Sequence, residues 1–339
     1  MRVLVTGATG MLGRATTTTL MSRGDEVTVL QRGRSGLDCR EVRGDLADAT
    51  AVRRAVRGQD AVVHLAAKVD VTGPWHEYAS ANIEGTRNVV AASRSEGVGR
   101  LVHVSSPSVA HSGRALMGVG ADRADPARAR GHYARSKATA ELEALAADSG
   151  SLAVLAVRPH LVWGPGDTQL VGRIVARARA GRLPILGPGA ALIDTTYVDN
   201  ASAALVAALD VCGPENGQAH GEALVVSNGE PRPVLEILEK LCRAAGVPGP
   251  RRRVPFPVAW LAGLAVEGAW AVSRRRDTPP LTRFLAEQLS TAHWFDQRRT
   301  RAVLGWHPGV TLECGFARLA AWYRQDPSAR GHGVDDENG

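Results

Sequence analysis

Tyr133 and Lys137 stand four residues apart in His132-Tyr133-Ala134-Arg135-Ser136-Lys137. On a helix that spacing puts both side chains on one face. A free tyrosine titrates near ~10 and is a poor base at neutral pH. A lysine ammonium beside it, together with an oxidised nicotinamide, favours the phenolate and lowers that value. Such a tyrosine exchanges a proton with a carbonyl or alcohol while hydride moves to or from the nicotinamide. A hydroxyl partner should polarise the same oxygen. In Val104-Ser105-Ser106-Pro107-Ser108, at the end of an expected strand, Ser106 is the candidate and Ser105 the reserve.

A lone Tyr-x-x-x-Lys arises by chance in many helices, so the elements that would position it carry the weight. The first 160 residues alternate β-branched runs with helical patterns, which reads as a Rossmann-type α/β fold with a doubly wound parallel sheet. Expected strands are 2–6, 26–30, 61–65, 100–105 and 153–157; expected helices include 12–22, 49–56 and 82–95. The first strand runs into Thr6-Gly7-Ala8-Thr9-Gly10-Met11-Leu12-Gly13, a G-x-x-G-x-x-G loop that opens a helix. One glycine permits the turn, one admits a pyrophosphate to the backbone, and one lets helix and strand approach. Gly7, Thr9, Gly10, Met11, Leu12 and Gly13 thus form a candidate dinucleotide cradle. Its unpaired N–H groups and helix dipole suit an anion.

The second strand ends at Gln31-Arg32-Gly33-Arg34. An acidic residue there would hold the ribose hydroxyls of NAD(H). Gln31 followed by arginines suits a 2′-phosphate, so NADP(H) is preferred over NAD(H). Asp45-Leu46 is placed to hold the adenine edge. After His64, the small residues of Leu65-Ala66-Ala67 leave room for a cofactor.

Beyond Pro159 the character changes. Gly and Pro become frequent, and short elements follow, such as the helical patterns 201–210 and 234–245. The expected organisation is a dinucleotide-binding domain over 1–160, an irregular α+β substrate lobe over 161–325 interleaved with it, and a disordered polar tail over 326–339. Residues 254–273 are the most apolar long stretch, with Arg251-Arg252-Arg253 before it and Arg274-Arg275-Arg276 after it. The stretch reads either as a buried or substrate-covering helix or as an interfacial helix touching lipid or a lipid-like substrate, making peripheral contact with a membrane.

The chain has 339 residues and a formal net charge of +7, with 4% aromatic residues. Its arginines are scattered and not interleaved with aromatics, which argues against nucleic acid. Cys39, Cys212, Cys242 and Cys314 are widely spaced, so neither a disulfide framework nor a metal site is expected. Free thiols fit a reducing cytoplasm. No apolar run reaches membrane-spanning length, and the N-terminus enters a strand too early for a secretory signal.

Taken in order, TGATGMLG, Asp45-Leu46, HLAA, Asn82 in NIEGTRNV, SSPSV, YARSK and Arg158-Pro159 resemble the extended short-chain dehydrogenase/reductase superfamily. RPHLVWGPGD, Thr195-Thr196-Tyr197-Val198-Asp199-Asn200 and Thr291-Ala292-His293-Trp294-Phe295-Asp296 sharpen the resemblance. They point to its 3β-hydroxysteroid dehydrogenase group and to bacterial reductases of 2-alkyl-3-oxoalkanoic acids. The resemblance spans about residues 1–325. It implies a Ser106–Tyr133–Lys137 triad, with Asn82 supporting a proton path and Lys137 also binding the nicotinamide ribose. Pro159 and His160 would line the nicotinamide. It further implies a homodimer acting on a small apolar 3-oxo or 3-hydroxy compound. Gln31 departs from the NAD-using steroid enzymes, which carry Asp, and this favours reduction with NADPH.

Two other readings stand beside this one. A sugar-nucleotide epimerase or dehydratase shares fold and triad. Pro107-Ser108 in place of the Asp-Glu pair of the 4,6-dehydratases argues against the dehydratase, and the apolar segment 254–273 favours an apolar substrate over the nucleotide diphosphate of an epimerase. A non-catalytic NADP-sensing protein would usually lack Tyr133 or Lys137.

Overall fold

The computed structural model describes residues 1–70, 73–111, 113–213, 219–272 and 290–325. The expected tail 326–339, residue 273 of the apolar stretch and the second arginine triplet lie outside them.

The first half runs β1 (Arg2–Thr6), α1 (Met11–Ser22), β2 (Glu26–Gln31), β3 (Arg40–Arg43), α2 (Ala49–Val56), β4 (Ala61–His64), α3 (Trp75–Tyr78), α4 (Gly85–Ser95), β5 (Arg100–Val104), β6 (Leu116–Val119), α5 (Gly131–Leu145) and β7 (Ala153–Pro159). The second half has shorter strands: β8 (Val162–Trp163), α6 (Val171–Arg179), β9 (Pro184–Leu186), β10 (Leu192–Ile193), β11 (Thr196–Tyr197), α7 (Val198–Val211), β12 (Ala223–Val226), β13 (Arg232–Pro233), α8 (Val234–Ala244), β14 (Arg252–Val254), α9 (Phe256–Val272), β15 (His293–Phe295), α10 (Arg298–Leu304) and α11 (Leu312–Gln325).

Among the described residues the main sheet has seven strands in the order β12-β7-β5-β4-β1-β2-β3, all parallel. Alternate residues feed opposite faces. Val3, Val5, Val29, Val63 and Val102 pack with Leu20 of α1 and Leu205 and Leu209 of α7. Leu4, Leu30, Val62, Leu101 and Val154 pack with Val52, Val89 and Ala144 of α2, α4 and α5. Burial on both faces explains why these strands are almost continuously apolar. Connections from β1 lead to one side and those from β4 to the other, so a crevice opens where the order reverses, above the ends of β1 and β4.

The second lobe builds its own core from Trp163, Tyr197, Ile237, Leu241 and Phe316, with Trp163 stacked on Phe316 at 4.6 Å between ring centroids. It also returns elements to the first lobe: α7 covers the sheet, and β12 extends it beside β7. β6 leaves the first half to pair with β15 in a four-stranded sheet.

Two expectations are corrected. Residues 82–95 do not form one α-helix: a π-helical turn, Ala79–Glu84, precedes α4 and carries Asn82. Nor is the apolar stretch a buried helix. Residues 256–272 form α9, but Val258 and Leu261 are 55% and 59% exposed, and Arg251, Arg252 and Arg253 stand exposed just before it.

Candidate active site

The glycine loop divides its labour. Gly7 has φ +77°, and a Cβ there would lie 2.8 Å from the Ala66 backbone. A Cβ on Gly13 would fall 2.1 Å from the Gly7 carbonyl oxygen. These two glycines are demanded by the protein's own backbone. Gly10 is not: its Cβ would meet nothing nearer than 3.6 Å. Thr9 and Gly10 are exposed at the crest of the loop, and Met11 and Leu12 begin α1 half-buried. No side chain caps α1 at Gly10, and its first turn holds no acidic residue. The open ground and uncapped N–H groups fit a pyrophosphate.

Gln31 is buried at the end of β2. Its Nε2 donates to the Gly33 carbonyl and to Glu41, each at 3.2 Å, while Oε1 has no partner among the described residues. Arg32 and Arg34 are exposed beyond it, and Arg14 of α1 reaches across to the Ser35 carbonyl at 2.6 Å. The Ser35 amide donates to the Glu41 carboxylate at 2.7 Å, so an acidic group also stands at this strand end. Asp45 is exposed and accepts from the Ala47 amide at 2.9 Å. Leu46 is fixed by Asn88, which donates to its carbonyl at 2.8 Å. Leu65, Ala66 and Ala67 are half-buried after β4, and the Ala66 amide donates to Thr6 Oγ1 at 3.1 Å.

α5 starts at Gly131 and presents Tyr133 and Lys137 at the carboxyl end of the sheet. Ser106, just past the end of β5, lies close enough to Tyr133 for its hydroxyl to favour the phenolate. Ser106 Oγ also accepts from the Ser108 amide and hydroxyl, at 3.3 and 2.9 Å. The Ser105 amide is bonded to the Val157 carbonyl at 2.7 Å, and its buried hydroxyl has no partner among the described residues.

Lys137 is 3% exposed and donates to the Val104 carbonyl at 2.6 Å. Burial pulls its ammonium down to about 8, opposed by Glu141 one turn later. Burial pushes the Tyr133 phenol up, and the Ser106 hydroxyl partly offsets that. The bond to Val104 uses one of the three donors of the Lys137 ammonium.

Asn82 is buried in the π-helical turn. Its Oδ1 accepts from the Lys68 amide at 2.7 Å, and its Nδ2 donates to the Lys68 carbonyl at 3.1 Å and to Ser136 Oγ at 2.8 Å. It ties the segment after β4 to α5. Pro159 ends β7, fully buried. His160 follows, donating from Nδ1 to the Asp194 carbonyl at 2.5 Å; burial drags its pKa down to about 4, so the ring is neutral.

Sequence reasoning missed two groups. Arg158 makes a bidentate ion pair with Glu141, at 2.8 and 2.5 Å, and donates to the Asp122 carbonyl at 2.7 Å. Both side chains of the pair are 1% exposed. An acidic residue one helical turn after Lys137 was the available signal. The other group is His64, whose neighbours at 2.8 and 3.0 Å are Thr6 and Thr86. Only its place at the end of a strand was visible in the sequence.

Residues 3–221 match the NAD dependent epimerase/dehydratase family. The chain belongs to that family. Within it, the chain is 44% identical over 327 residues to a 2-alkyl-3-oxoalkanoate reductase of Stenotrophomonas maltophilia (strain K279a), covering 95% of this chain and 99% of that one. It is 31% identical over 339 residues to a 3-beta-hydroxysteroid dehydrogenase of Mycolicibacterium neoaurum, covering 95% and 91%. Among solved structures, the MoeE5 complex with UDP-glucose and NAD superposes with a TM-score of 0.73 at 26% identity, covering 96% and 99%. As an extended short-chain dehydrogenase/reductase of this family, the chain is an NAD(P)-dependent oxidoreductase acting on CH–OH or C=O groups. Among the described residues no helix is long and apolar enough to cross a membrane, and no cluster could hold a metal.

Proposed function

We propose that the chain is an NADPH-dependent ketoreductase whose substrate is a bulky apolar 3-oxo acid or a 3-ketosteroid-like compound. The observation that carries this is Tyr133 with buried Lys137 on α5, Lys137 being bonded to the Val104 carbonyl at the strand end that leads into Ser106, beside an uncapped glycine loop. NADPH, when bound, supplies the hydride to the carbonyl carbon. Ser106 donates a hydrogen bond to the carbonyl oxygen, and Tyr133 gives that oxygen its proton. Lys137 holds the ribose side of the site and returns positive charge to the phenolate left behind. Gln31, Arg32 and the neighbouring arginines favour a 2′-phosphate over a second ribose hydroxyl.

The test uses purified protein, NADPH or NADH, and a panel of 2-alkyl-3-oxo acids and 3-ketosteroids, followed by nicotinamide absorbance. Consumption of NADPH with one of these ketones supports the reading. Tight NADPH binding without turnover across the panel would make the chain a sensor instead. Arg32→Ala should weaken NADPH far more than NADH; equal losses would place Arg32 in solvent. The reading also implies a homodimer, checked as the mass of two chains by light scattering.

α9 favours a second feature of this reading: peripheral contact with an anionic lipid surface that stores the apolar substrate. Phe256, Val258, Leu261 and Leu264 are exposed, and Arg251–Arg253 are placed to meet lipid phosphates. Co-sedimentation with anionic vesicles at low salt, lost in Leu261→Arg, is expected. No sedimentation, or a Leu261→Arg effect on dimer mass alone, would overturn it.

A further inference from the structure

A chain of hydrogen bonds crosses the floor of the site and takes no part in the chemistry above it. The Ala66 amide donates to Thr6 Oγ1, and Thr6 Oγ1 lies 2.8 Å from His64 Nδ1. On the other side of the ring, His64 Nε2 lies 3.0 Å from Thr86 Oγ1, whose own hydroxyl donates to the Asn82 carbonyl at 2.7 Å. A threonine hydroxyl has one proton. With that proton committed to Asn82, Thr86 can only accept from His64. Nε2 therefore carries the ring proton, Nδ1 accepts from Thr6, and every member is satisfied. Burial and nearby Lys137 hold the ring's pKa at about 3, so it stays neutral through any working pH. From Asn82 the chain continues: Nδ2 donates to Ser136 Oγ, which donates to the Tyr133 carbonyl at 2.8 Å.

We propose that His64 is a positioning residue of the reductase site: through Thr86, Asn82 and Ser136 it sets where the first turn of α5, and with it Tyr133, stands over the glycine-loop strand β1. This rests on the ketoreductase reading. His64 is not assigned to any reacting atom. Its ring is a rigid spacer with one acceptor and one donor edge. It joins β1, which precedes the cofactor loop, to the π-helical turn that Asn82 pins against both Lys68 and α5. Displacements of about 1 Å in such a constellation can cost about 100-fold in rate.

The test is made on the full chain with NADPH and a ketone that the wild type reduces. His64→Leu and Thr86→Val each cut one link. Each should lower kcat about tenfold or more while KM for the ketone and Kd for NADPH move less than about threefold. The double variant should be no slower than the worse single one, because both cut one chain. His64→Gln, which keeps a donor and an acceptor, should recover most of the turnover lost in His64→Leu. A Thr86→Val enzyme within about twofold of wild type, or losses that multiply in the double variant, would overturn the proposal. If His64→Leu does not fold, ring ¹⁵N shifts of His64 in the wild type still decide. An Nε2–H tautomer supports the chain, and an Nδ1–H or charged ring refutes it. That measurement needs no substrate, so it separates a wrong relay from a wrong reaction.

Discussion

Lys137 pays for its place in the site with stability. In the unfolded chain its ammonium titrates at its ordinary value of 10.5, and in the fold at about 8. Below pH 8 both states hold the proton and the whole burial cost opposes folding. Between 8 and 10.5 the folded state gives the proton up first, and the cost is relieved as pH rises. Lys137→Met should therefore raise unfolding stability at pH 7 by about 1–3 kcal/mol. Its advantage over the wild type should shrink between pH 8 and 10.5, read from denaturant melts, while turnover is lost. An unchanged or lower midpoint at pH 7 would contradict the burial argument. Tyr133→Phe tests the neighbouring role: turnover should fall more than about tenfold with NADPH affinity nearly intact. The glycines separate in the same way. Gly10→Ala should fold normally, since its Cβ makes only an ordinary contact at 3.6 Å with the Gly7 carbonyl oxygen, yet lose NADPH affinity. Gly13→Ala should lose folding, since its Cβ would strike the Gly7 carbonyl; thermal melts and cofactor titration distinguish the two.

At the scale of elements, the buried Glu141–Arg158 pair fastens α5 to the end of β7. Removing one partner of such a pair strands a charge without water, at a cost of about 3–5 kcal/mol. Arg158→Met should show that loss in equilibrium unfolding, and Glu141→Leu combined with it should recover most of it. A double variant as unstable as the single would mean that packing, not the stranded carboxylate, is responsible. What was legible at this scale followed from local spacing. The glycine loop, the Tyr133–Lys137 face of α5 and the strand end at Ser106 all lie within short stretches whose residue types dictate their geometry. β12 was not legible: Ala223–Val226 offers four apolar residues, which periodicity alone cannot assign. The π-helical turn was hidden because its sequence continues the pattern of α4 without a break. The roles of His64 and Arg158 depend on partners distant in the chain, such as Thr6 and Glu141, so no window of sequence contains them. The exposure of α9 was open for a related reason: an apolar helix is read as buried or interfacial according to what the rest of the chain leaves uncovered.

At the scale of the molecule, the two lobes share elements. α7 belongs to the face of the main sheet through Leu205 and Leu209, while Val198 at its start packs into the second core. A fragment of residues 1–160 would leave β7 as an edge and bare the apolar face that α7 covers. It should be insoluble or bind hydrophobic dyes, whereas the full chain should melt cooperatively, with a midpoint that rises as NADPH is added. A soluble, cooperatively folding 1–160 fragment would refute the shared core.

The late pairing of β12 with β7 also has a consequence in time. A ribosome delivers β7 before β12, so the sheet cannot finish while the polypeptide between Pro159 and Val226 is still being made. During that interval β7 presents unpaired backbone beside an uncovered apolar surface, the kind of strand that recruits strangers. Until α7 and β12 emerge, that edge and face stand open to self-association, so a chain released within the window should aggregate more readily than the finished one.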